Sequence, residues 1–311
     1  MSVFFQVKDI LDIEKIPENT THLDFLLSFN ELIKPGDIPN SVTHLVFHGL
    51  QSRPLSPRVI PNSVIFLRYG SQPLTFGIIP NSVTNLNFGG VTNRELMPGY
   101  IPNSVTFLTL GISFNKRLKH GDIPNSVIHL VFGFEFNKPL ELGIIPNSVT
   151  HLCFGPCFNQ PLKPGDIPDS VIFLAFQDSF NPPFESRFNQ SLSNGVIPKN
   201  VTHIEFGHCF DQKINPGDIP ESVVYMCVPN TFSLKHVSES VFIKTFKNAL
   251  YNLDKDGYKH YNKWTQYSCK YSSVLAEPDI WSMIFISKTN SGILDTIPNE
   301  LLFYLLEYTV Y

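Results

Sequence analysis

The sequence predicts a β-solenoid, in which about ten stacked turns of 22 residues form a curved parallel sheet. Three observations lead to this fold class: an Ile-Pro dipeptide recurs along the chain, apolar residues hold fixed positions in each repeat, and the composition disfavours helices. The proline of the dipeptide stands at positions 17, 39, 61, 80, 102, 124, 146, 168, 198 and 220. The repeats therefore fill residues 16–230.

The composition suits a sheet and argues against several classes of protein. The chain has three Ala against 25 Pro and 27 Phe, so it holds little of the best helix former. Its formal charge of −4 offers no basic excess for a phosphate backbone, and we expect no nucleic-acid partner. No apolar run approaches the roughly 20 residues that cross a bilayer, so we expect no membrane partner. The acidic start and five cysteines without framework spacing predict a cytoplasmic protein.

The first half of each repeat predicts a β-strand. In one repeat, Val149, Leu152 and Phe154 are the apolar positions, and the other repeats have equivalent residues. Leu and Phe alternate with other residues, which is the period-two pattern of a strand with one buried face. The second half carries Pro and Gly every few residues and must return through turns rather than a helix. Stacked copies would place neighbouring strands about 4.8 Å apart.

A recurring tetrad gives the repeat its family likeness. It reads Phe136-Asn137-Lys138-Pro139 in one turn and Phe158-Asn159-Gln160-Pro161 in the next. With these tetrads and the Val-x-x-Leu-x-Phe strands, the unit resembles the FNIP repeat, and its strand half resembles the leucine-rich repeat. FNIP repeats are known from slime-mould and giant-virus proteins, often beside an F-box. The resemblance implies a leucine-rich-repeat-like solenoid that binds proteins, with an origin of the giant-virus or slime-mould type.

One column of side chains leaves the strands on the face opposite to the buried Leu and Phe. By the leucine-rich-repeat analogy, this column and its neighbour line the open, concave face. Aromatic residues without Lys or Glu are typical of the core of an interaction surface. The alternative is that one ancestral repeat was duplicated and its His and Phe were simply inherited. The residues predicted to bind a protein partner are His22, His44, Phe66, Arg68, Phe107, His129, His151, Phe173, His203 and Tyr225.

Two further columns are interpreted as structural. The Asn that follows Phe can donate and accept hydrogen bonds, so stacked copies can satisfy the backbone of the turns. The Asp of the Gly-Asp-Ile-Pro segments never occurs in adjacent turns, which favours turn formation over a shared calcium ion. The Asn column comprises Asn30, Asn115, Asn137, Asn159 and Asn189, and the Asp column comprises Asp37, Asp122, Asp166 and Asp218.

Metal binding has little support in the sequence. His22 and His44 stand in adjacent turns, as do His129 and His151. Two imidazoles alone make a weak site, and a Phe stands in the next turn where a third ligand is needed. We therefore predict no metal and no cofactor.

Catalysis also has little support. Asp24 and Glu205 are the acids of the two exposed columns, and they lie eight turns apart. At about 4.8 Å per strand this separation is about 38 Å, whereas glycoside hydrolysis needs two carboxyl groups about 5–9.5 Å apart. We predict a non-enzymatic protein.

The end turns of a solenoid expose apolar surface and edge strands, so both ends need caps. Residues 1–15 are apolar enough to form the N-terminal cap. Residues 231–311 predict a small α-rich C-terminal cap, with a helix over 239–253. Residues 294–308 resemble the opening helix of an F-box. This resemblance implies an alternative function, in which the chain is the substrate-receptor subunit of a ubiquitin ligase and is recruited through an adaptor. If the protein is viral, the predicted cytoplasmic location is the cytoplasm of the host.

Overall fold

The computed structural model describes residues 2–48, 54–89, 93–176 and 186–229, and the backbone of residues 242–246. Within these residues twelve strands form one sheet, in which each strand pairs with the next one along the chain. Every pairing of these strands is parallel and follows the repeat, as in Leu130 opposite Leu152. One strand per turn in consecutive parallel order is the topology of a solenoid. The predicted fold class is confirmed.

The strands are short, and ten of them, β2 to β11, begin at the same position of the repeat. Their bounds are β1 Phe4–Val7, β2 His22–Phe25, β3 His44–Phe47, β4 Phe66–Tyr69, β5 Asn85–Phe88, β6 Phe107–Thr109, β7 His129–Val131, β8 His151–Cys153, β9 Phe173–Ala175, β10 His203–Glu205, β11 Tyr225–Pro229 and β12 Phe242–Phe246. One helical turn, α1, spans Ile10–Ile13. In the described part of the chain, no helix has the length and apolar character of a membrane span.

Two interleaved stacks of phenyl rings fill the interior behind the sheet. At the strand ends, the ring centroid of Phe154 lies 5.1 Å from that of Phe132 and 5.4 Å from that of Phe176. The Phe of the tetrad stacks in the same way, with Phe136 and Phe158 at 6.0 Å. The two stacks touch within each turn, where Phe154 and Phe158 are 4.1 Å apart. Alternation along the strand places the first stack inside, and the Phe of the tetrad packs against it from the turn that follows the strand.

The Asn that follows the second Phe stack joins successive turns. Asn137 Oδ1 accepts the backbone N–H of Asn159 at 3.0 Å and the side-chain amide of Gln160 at 2.9 Å. The next turn repeats the first of these contacts, because Asn159 Oδ1 accepts the backbone N–H of Asn189 at 2.9 Å. The predicted structural Asn ladder is confirmed for these turns.

The Asp of the Gly-Asp-Ile-Pro segments closes a turn. Asp122 Oδ2 accepts the backbone N–H of Lys119 at 2.7 Å, and Asp166 Oδ2 accepts that of Lys163 at the same distance. Asp37 makes the equivalent bond three residues back along the chain, as does Asp218. A carboxylate that satisfies its own turn supports the interpretation as turn chemistry.

The predicted helix over 239–253 is wrong where the structure describes it. Residues Phe242–Phe246 form β12, which pairs in parallel with β11 and places Ile243 opposite Met226. In this register Ile243 takes the repeat position of the buried Leu, and Lys244 lies opposite Cys227. The backbone groups on the open edge of β11 provide partners for another strand, and the local helical pattern does not show this.

The chain divides into two compact units, Met1–Lys247 and Asn248–Tyr311. The predicted α-rich cap beyond β12, including the F-box-like segment 294–308, lies outside the described residues.

At the N-terminus, β1 joins the sheet by pairing with β2. Asp9 caps α1, because its side chain accepts the backbone N–H of Leu11.

Candidate functional site

The first residue of each strand from β1 to β11 forms a column across the outer face of the sheet, opposite the buried Leu and Phe. The in-register pairing sets these residues side by side, as in His22 opposite His44 and His129 opposite His151. We name this set the ring column. It consists of Phe4, His22, His44, Phe66, Asn85, Phe107, His129, His151, Phe173, His203 and Tyr225.

The rings of this column stack along the solenoid in two groups of the same composition. In the first group, Phe4 and His22 have centroids 4.3 Å apart, His22 and His44 are also 4.3 Å apart, and His44 and Phe66 are 5.6 Å apart. Asn85 follows and has no ring. The order Phe-His-His-Phe was only partly visible in the sequence, because Phe4 precedes the first repeat.

The second group repeats this order on β6 to β9. The centroid distances are 5.5 Å between Phe107 and His129, 4.4 Å between His129 and His151, and 5.9 Å between His151 and Phe173. Because the ring faces cover one another, the edges of the rings form the surface that a partner would meet.

A threonine contacts the His ring in four of the five turns that have a His in the ring column. Thr43 Oγ1 lies 2.9 Å from Nδ1 of His44 and 3.2 Å from the carbonyl oxygen of Thr21. A hydroxyl has one proton to donate, and the carbonyl can only accept it. This geometry favours Nδ1–H as the donor to Thr43 Oγ1, with Nε2 as the acceptor nitrogen. The same Thr-His contact is found at Thr21–His22, Thr150–His151 and Thr202–His203.

These threonines were missed by sequence analysis, although the recurring Thr-His dipeptide was a signal for them. His129 is the exception among the five His of the ring column, because Ile128 precedes it. Nδ1 of His129 is buried and has no hydrogen-bond partner. A buried polar atom without a partner costs stability, so this position can be improved.

Replacing Ile128 with Thr is expected to raise the free energy of unfolding by about 0.5–1.5 kcal/mol, because the new hydroxyl can pair with Nδ1 of His129. Ile172→Thr is the matched control. Ile172 has the same 40% exposure as Ile128, but it precedes Phe173, which has no ring nitrogen. Chemical denaturation of both variants measures the difference, and an equal gain in the two would contradict the assigned role of the Thr-His contact.

Three His of the ring column are neutral at pH 7, because their pKa values are lowered. Burial, and then the charge of His22, lower the pKa of His44 from 6.5 to about 4. Burial, and then His151, lower the pKa of His129 from 6.5 to about 4 in the same way. The pKa of His203 is also lowered, chiefly by burial. At these three positions the column therefore presents neutral imidazoles rather than cations.

The sequence-predicted site residues do lie together on one face, but they differ in exposure. His44 and Phe66 are only 6% and 8% exposed, so the expectation that the whole column is open to solvent is wrong at these two positions. The faces of the His44 ring are covered by the rings beside it on the neighbouring strands. Arg68 reaches along the outer face over Gly89, where a Cβ atom would lie 2.5 Å from its Nε.

The neighbouring column of the outer face is uncharged in its central part. On β6 to β9 it consists of Thr109, Val131, Cys153 and Ala175. We name these four residues, together with Phe107, His129, His151 and Phe173, the central patch. Charged residues of this column lie nearer the ends of the described sheet. One example is Asp24, whose Oδ2 lies 3.7 Å from Nε2 of His48.

The structure does not bring the two candidate acids together. Asp24 lies on β2 and Glu205 on β10, with seven strands between them in the sheet. Within the described ranges, no three His, Cys, Asp or Glu side chains are grouped so that they could hold a metal ion.

Comparisons with known proteins agree with this architecture. The family model for the FNIP repeat matches residues 8–49, 29–71, 69–113, 114–157, 158–187 and 188–226. No curated protein sequence matches the chain.

Two solved structures are similar to this chain. One is CroV588, a circular leucine-rich-repeat protein of the giant virus CroV, with 32% identity and a TM-score of 0.66. The match covers 74% of this chain and 34% of CroV588, so the chain spans about a third of that protein's length. A leucine-rich-repeat protein from Bacteroides ovatus has 14% identity and a TM-score of 0.20, over 73% of this chain and 84% of that protein. The six matched repeats and their in-register turns show that the chain belongs to the FNIP repeat family.

Proposed function

We propose that this protein is a non-enzymatic interaction scaffold that binds a protein partner on the outer face of its sheet, the face predicted to be concave. The observation that carries the proposal is the central patch on β6 to β9, where four half-buried stacked rings lie beside four uncharged residues, of which only Ala175 is buried. The fold supports protein binding in general, because repeat solenoids of the leucine-rich type typically bind proteins.

The chemistry of the patch suits a protein interface. The cores of interfaces are depleted of charge and enriched in aromatic residues. The rings of the patch are already ordered by stacking and, at His151, by a hydrogen bond to Thr150. Less side-chain entropy is therefore lost when a partner binds.

The competing interpretation is that the rings only stabilise the solenoid and were inherited by duplication. Both interpretations expect stacked rings, but only binding requires the outer edges of these rings to contact another molecule. The two are separated by variants that change the surface while the fold is retained.

Affinity capture from the native cell tests the proposal. The double variant Phe107→Ser and Phe173→Ser is expected to lose the protein that the wild-type chain retains. Phe76→Ser is the control, because Phe76 is 74% exposed but lies outside the outer-face columns. Circular dichroism verifies that each variant is folded. Equal retention by the wild-type chain and a folded double variant would contradict the proposal.

A second candidate function rests on the sequence resemblance of residues 294–308 to the opening helix of an F-box, which lies outside the described residues. The chain would then be the substrate receptor of a ubiquitin ligase in the cytoplasm, or the host cytoplasm for a viral protein. Pull-down with the F-box adaptor, before and after deletion of 294–311, tests it. Binding that is lost with the deletion supports the receptor function, and no binding by the full chain contradicts it.

A further inference from the structure

A groove crosses successive turns at the corner where each return segment ends and the next strand begins. Two cavities of about 580 and 460 Å³ form its central part, and they share the lining residues Gly99, Ile101 and Asn103. A third cavity of about 820 Å³ shares Arg58 and Asn62 with the first and extends it towards the first turn. We name the three joined cavities the corner groove. Its lining includes no residue of the ring column.

One asparagine per turn lines the corner groove, at the residue after the proline of Ile-Pro. Pro80 O accepts the backbone N–H of Val83 at 3.1 Å, so Asn81 and Ser82 are the two central residues of a β-turn. The equivalent Asn side chains are all exposed, and within the described residues their carboxamides have no hydrogen-bond partner. This corner Asn row consists of Asn40, Asn62, Asn81, Asn103 and Asn125.

The serine after each of these asparagines ties the row to the preceding turn. Ser82 Oγ donates to Val64 O at 2.7 Å, and Ser104 Oγ donates to Val83 O at the same distance. The turn before Ser82 is shorter than its neighbours, yet its bond is the same, so the row continues through it. Successive Asn therefore lie about one strand spacing, about 4.8 Å, apart.

The walls of the central part are largely uncharged and include an aromatic ring. The Phe76 ring lies against Gly99, where a Cβ atom would be 2.8 Å from its Cε2, and this glycine has a φ of 83°. Phe76 is nonetheless 74% exposed, so a ligand in the groove can reach it. Among the described residues that line the two central cavities, none is Asp, Glu or Lys. The groove therefore offers amide donors and acceptors beside an aromatic ring, with little charge.

The spacing of the corner Asn row favours one conformation of a bound peptide. A β-strand turns equivalent backbone groups to one side every second residue, or about every 6.6 Å, which matches neither one nor two spacings of the row. A polyproline II helix has three residues per turn and repeats about every 9.3 Å. Two spacings of the row are about 9.6 Å. A polyproline II peptide along the groove can therefore present an equivalent carbonyl to every second Asn.

We propose that the corner groove binds a proline-rich segment of a partner protein in the polyproline II conformation. The Asn carboxamides donate N–H groups to carbonyl oxygens of the segment, and its proline rings pack on Phe76. A proline-rich segment has no charge that the lining would need to neutralise. Its carbonyl groups are free of internal hydrogen bonds, and its preformed conformation loses little entropy on binding. Grooves with aromatic walls bind such segments in other folds.

The first test measures binding of a hexaproline peptide, capped at both ends, to the full chain by isothermal titration calorimetry. We expect saturable binding below about 1 millimolar, and none by a Gly-Ser peptide of the same length, which has no preformed conformation. The double variant Phe107→Ser and Phe173→Ser should bind hexaproline as the wild-type chain does. This result would separate the corner groove from the central patch.

The second test removes the amide donor that lines both central cavities. Asn103→Asp keeps the size of the side chain but replaces the donor with a carboxylate, so hexaproline binding is expected to weaken at least about tenfold. The fold should persist, because Asp169 already stands at this position of the repeat. Asn194→Asp is the matched control, since it adds the same charge at an exposed residue outside the row and should leave the affinity unchanged.

The third test removes the aromatic wall. Phe76→Ser is expected to weaken hexaproline binding at least about tenfold, because the proline rings lose the surface on which they pack. Leu142→Ser is the matched control. Leu142 also precedes the glycine of its turn and is 80% exposed, but it does not line the groove, so its replacement should leave the affinity unchanged. Circular dichroism verifies that each variant is folded.

Three results would overturn the proposal. Hexaproline could fail to saturate the chain at about 1 millimolar. Folded Asn103→Asp and Phe76→Ser variants could both retain the wild-type affinity, and the peptide would then bind elsewhere. Cellohexaose, or a hexapeptide of alternating Thr and Val, could bind more tightly than hexaproline, which would show that the groove selects a glycan or an extended strand instead.

Discussion

Replacing Phe154 with Ala is expected to lower the free energy of unfolding by about 3–5 kcal/mol. Phe154 is fully buried, and its ring lies within 5.4 Å of the centroids of Phe132, Phe158 and Phe176. Because one ring serves both phenyl stacks, its loss leaves a cavity and removes aromatic contacts in three directions. Denaturation with guanidinium chloride, followed by circular dichroism, measures the loss.

The matched control for this prediction is Phe76→Ala. Phe76 is 74% exposed, so its truncation should change the stability by no more than about 0.5 kcal/mol. A similar loss in the two variants would mean that the assignment of inside and outside is wrong. Since neighbouring turns stabilise one another, the loss at Phe154 should also broaden the transition if the array unfolds in parts.

Acidification from pH 6.5 to pH 4 is expected to remove stability through His44 and His129, whose pKa values are lowered to about 4 in the fold. Below pH 6.5 these residues bind protons in the unfolded chain but stay neutral in the folded chain. The unfolding free energy therefore falls as the pH is lowered, and this contribution becomes constant below about pH 4, where the folded chain is also protonated. Each pKa unit corresponds to about 1.4 kcal/mol, and with solvent screening we expect about 1–2 kcal/mol per residue.

The double variant His44→Phe and His129→Phe isolates this effect. Phe already occupies the same position of the repeat at Phe66 and Phe107, so the substitution suits the ring column. Carboxylates titrate in both proteins, and their contribution cancels when the two stability curves are subtracted. The difference between the wild-type chain and the variant should change by about 2–4 kcal/mol between pH 6.5 and pH 4; a constant difference would contradict the prediction.

Much of the solenoid could be predicted from local sequence patterns. The spacing of Ile-Pro fixes the period, and the alternation of residues such as Leu152 and Phe154 fixes which side of each strand is buried. The Asn ladder could be predicted because each copy, such as Asn137, stands at the same place in its turn and must meet its equivalent when the turns stack. These features depend on one repeat and its nearest copy, and both are visible in the sequence.

The sequence patterns did not predict the features that depend on the edge of the sheet or on contacts with a neighbouring strand. The segment 242–246 has apolar spacing that fits a helix, yet it pairs with the edge of β11. Phe4 lies outside the repeat, so its stacking on His22 was missed. His44 is buried because the rings of His22 and Phe66 cover it from both sides, and a periodic pattern does not give the distances between these rings.

The sequence by itself therefore determined the period, the strands, the buried columns and the FNIP repeat family of this protein. The tertiary structure decided the two Phe-His-His-Phe stacks, the Thr-His contacts, the lowered pKa values of His44 and His129, and the pairing of β12 with β11. The physical reason is that the same order of buried and outward residues recurs in every turn, so it is visible in the sequence. Ring stacking, pKa values and edge pairing arise from distances between turns, which only the folded chain sets.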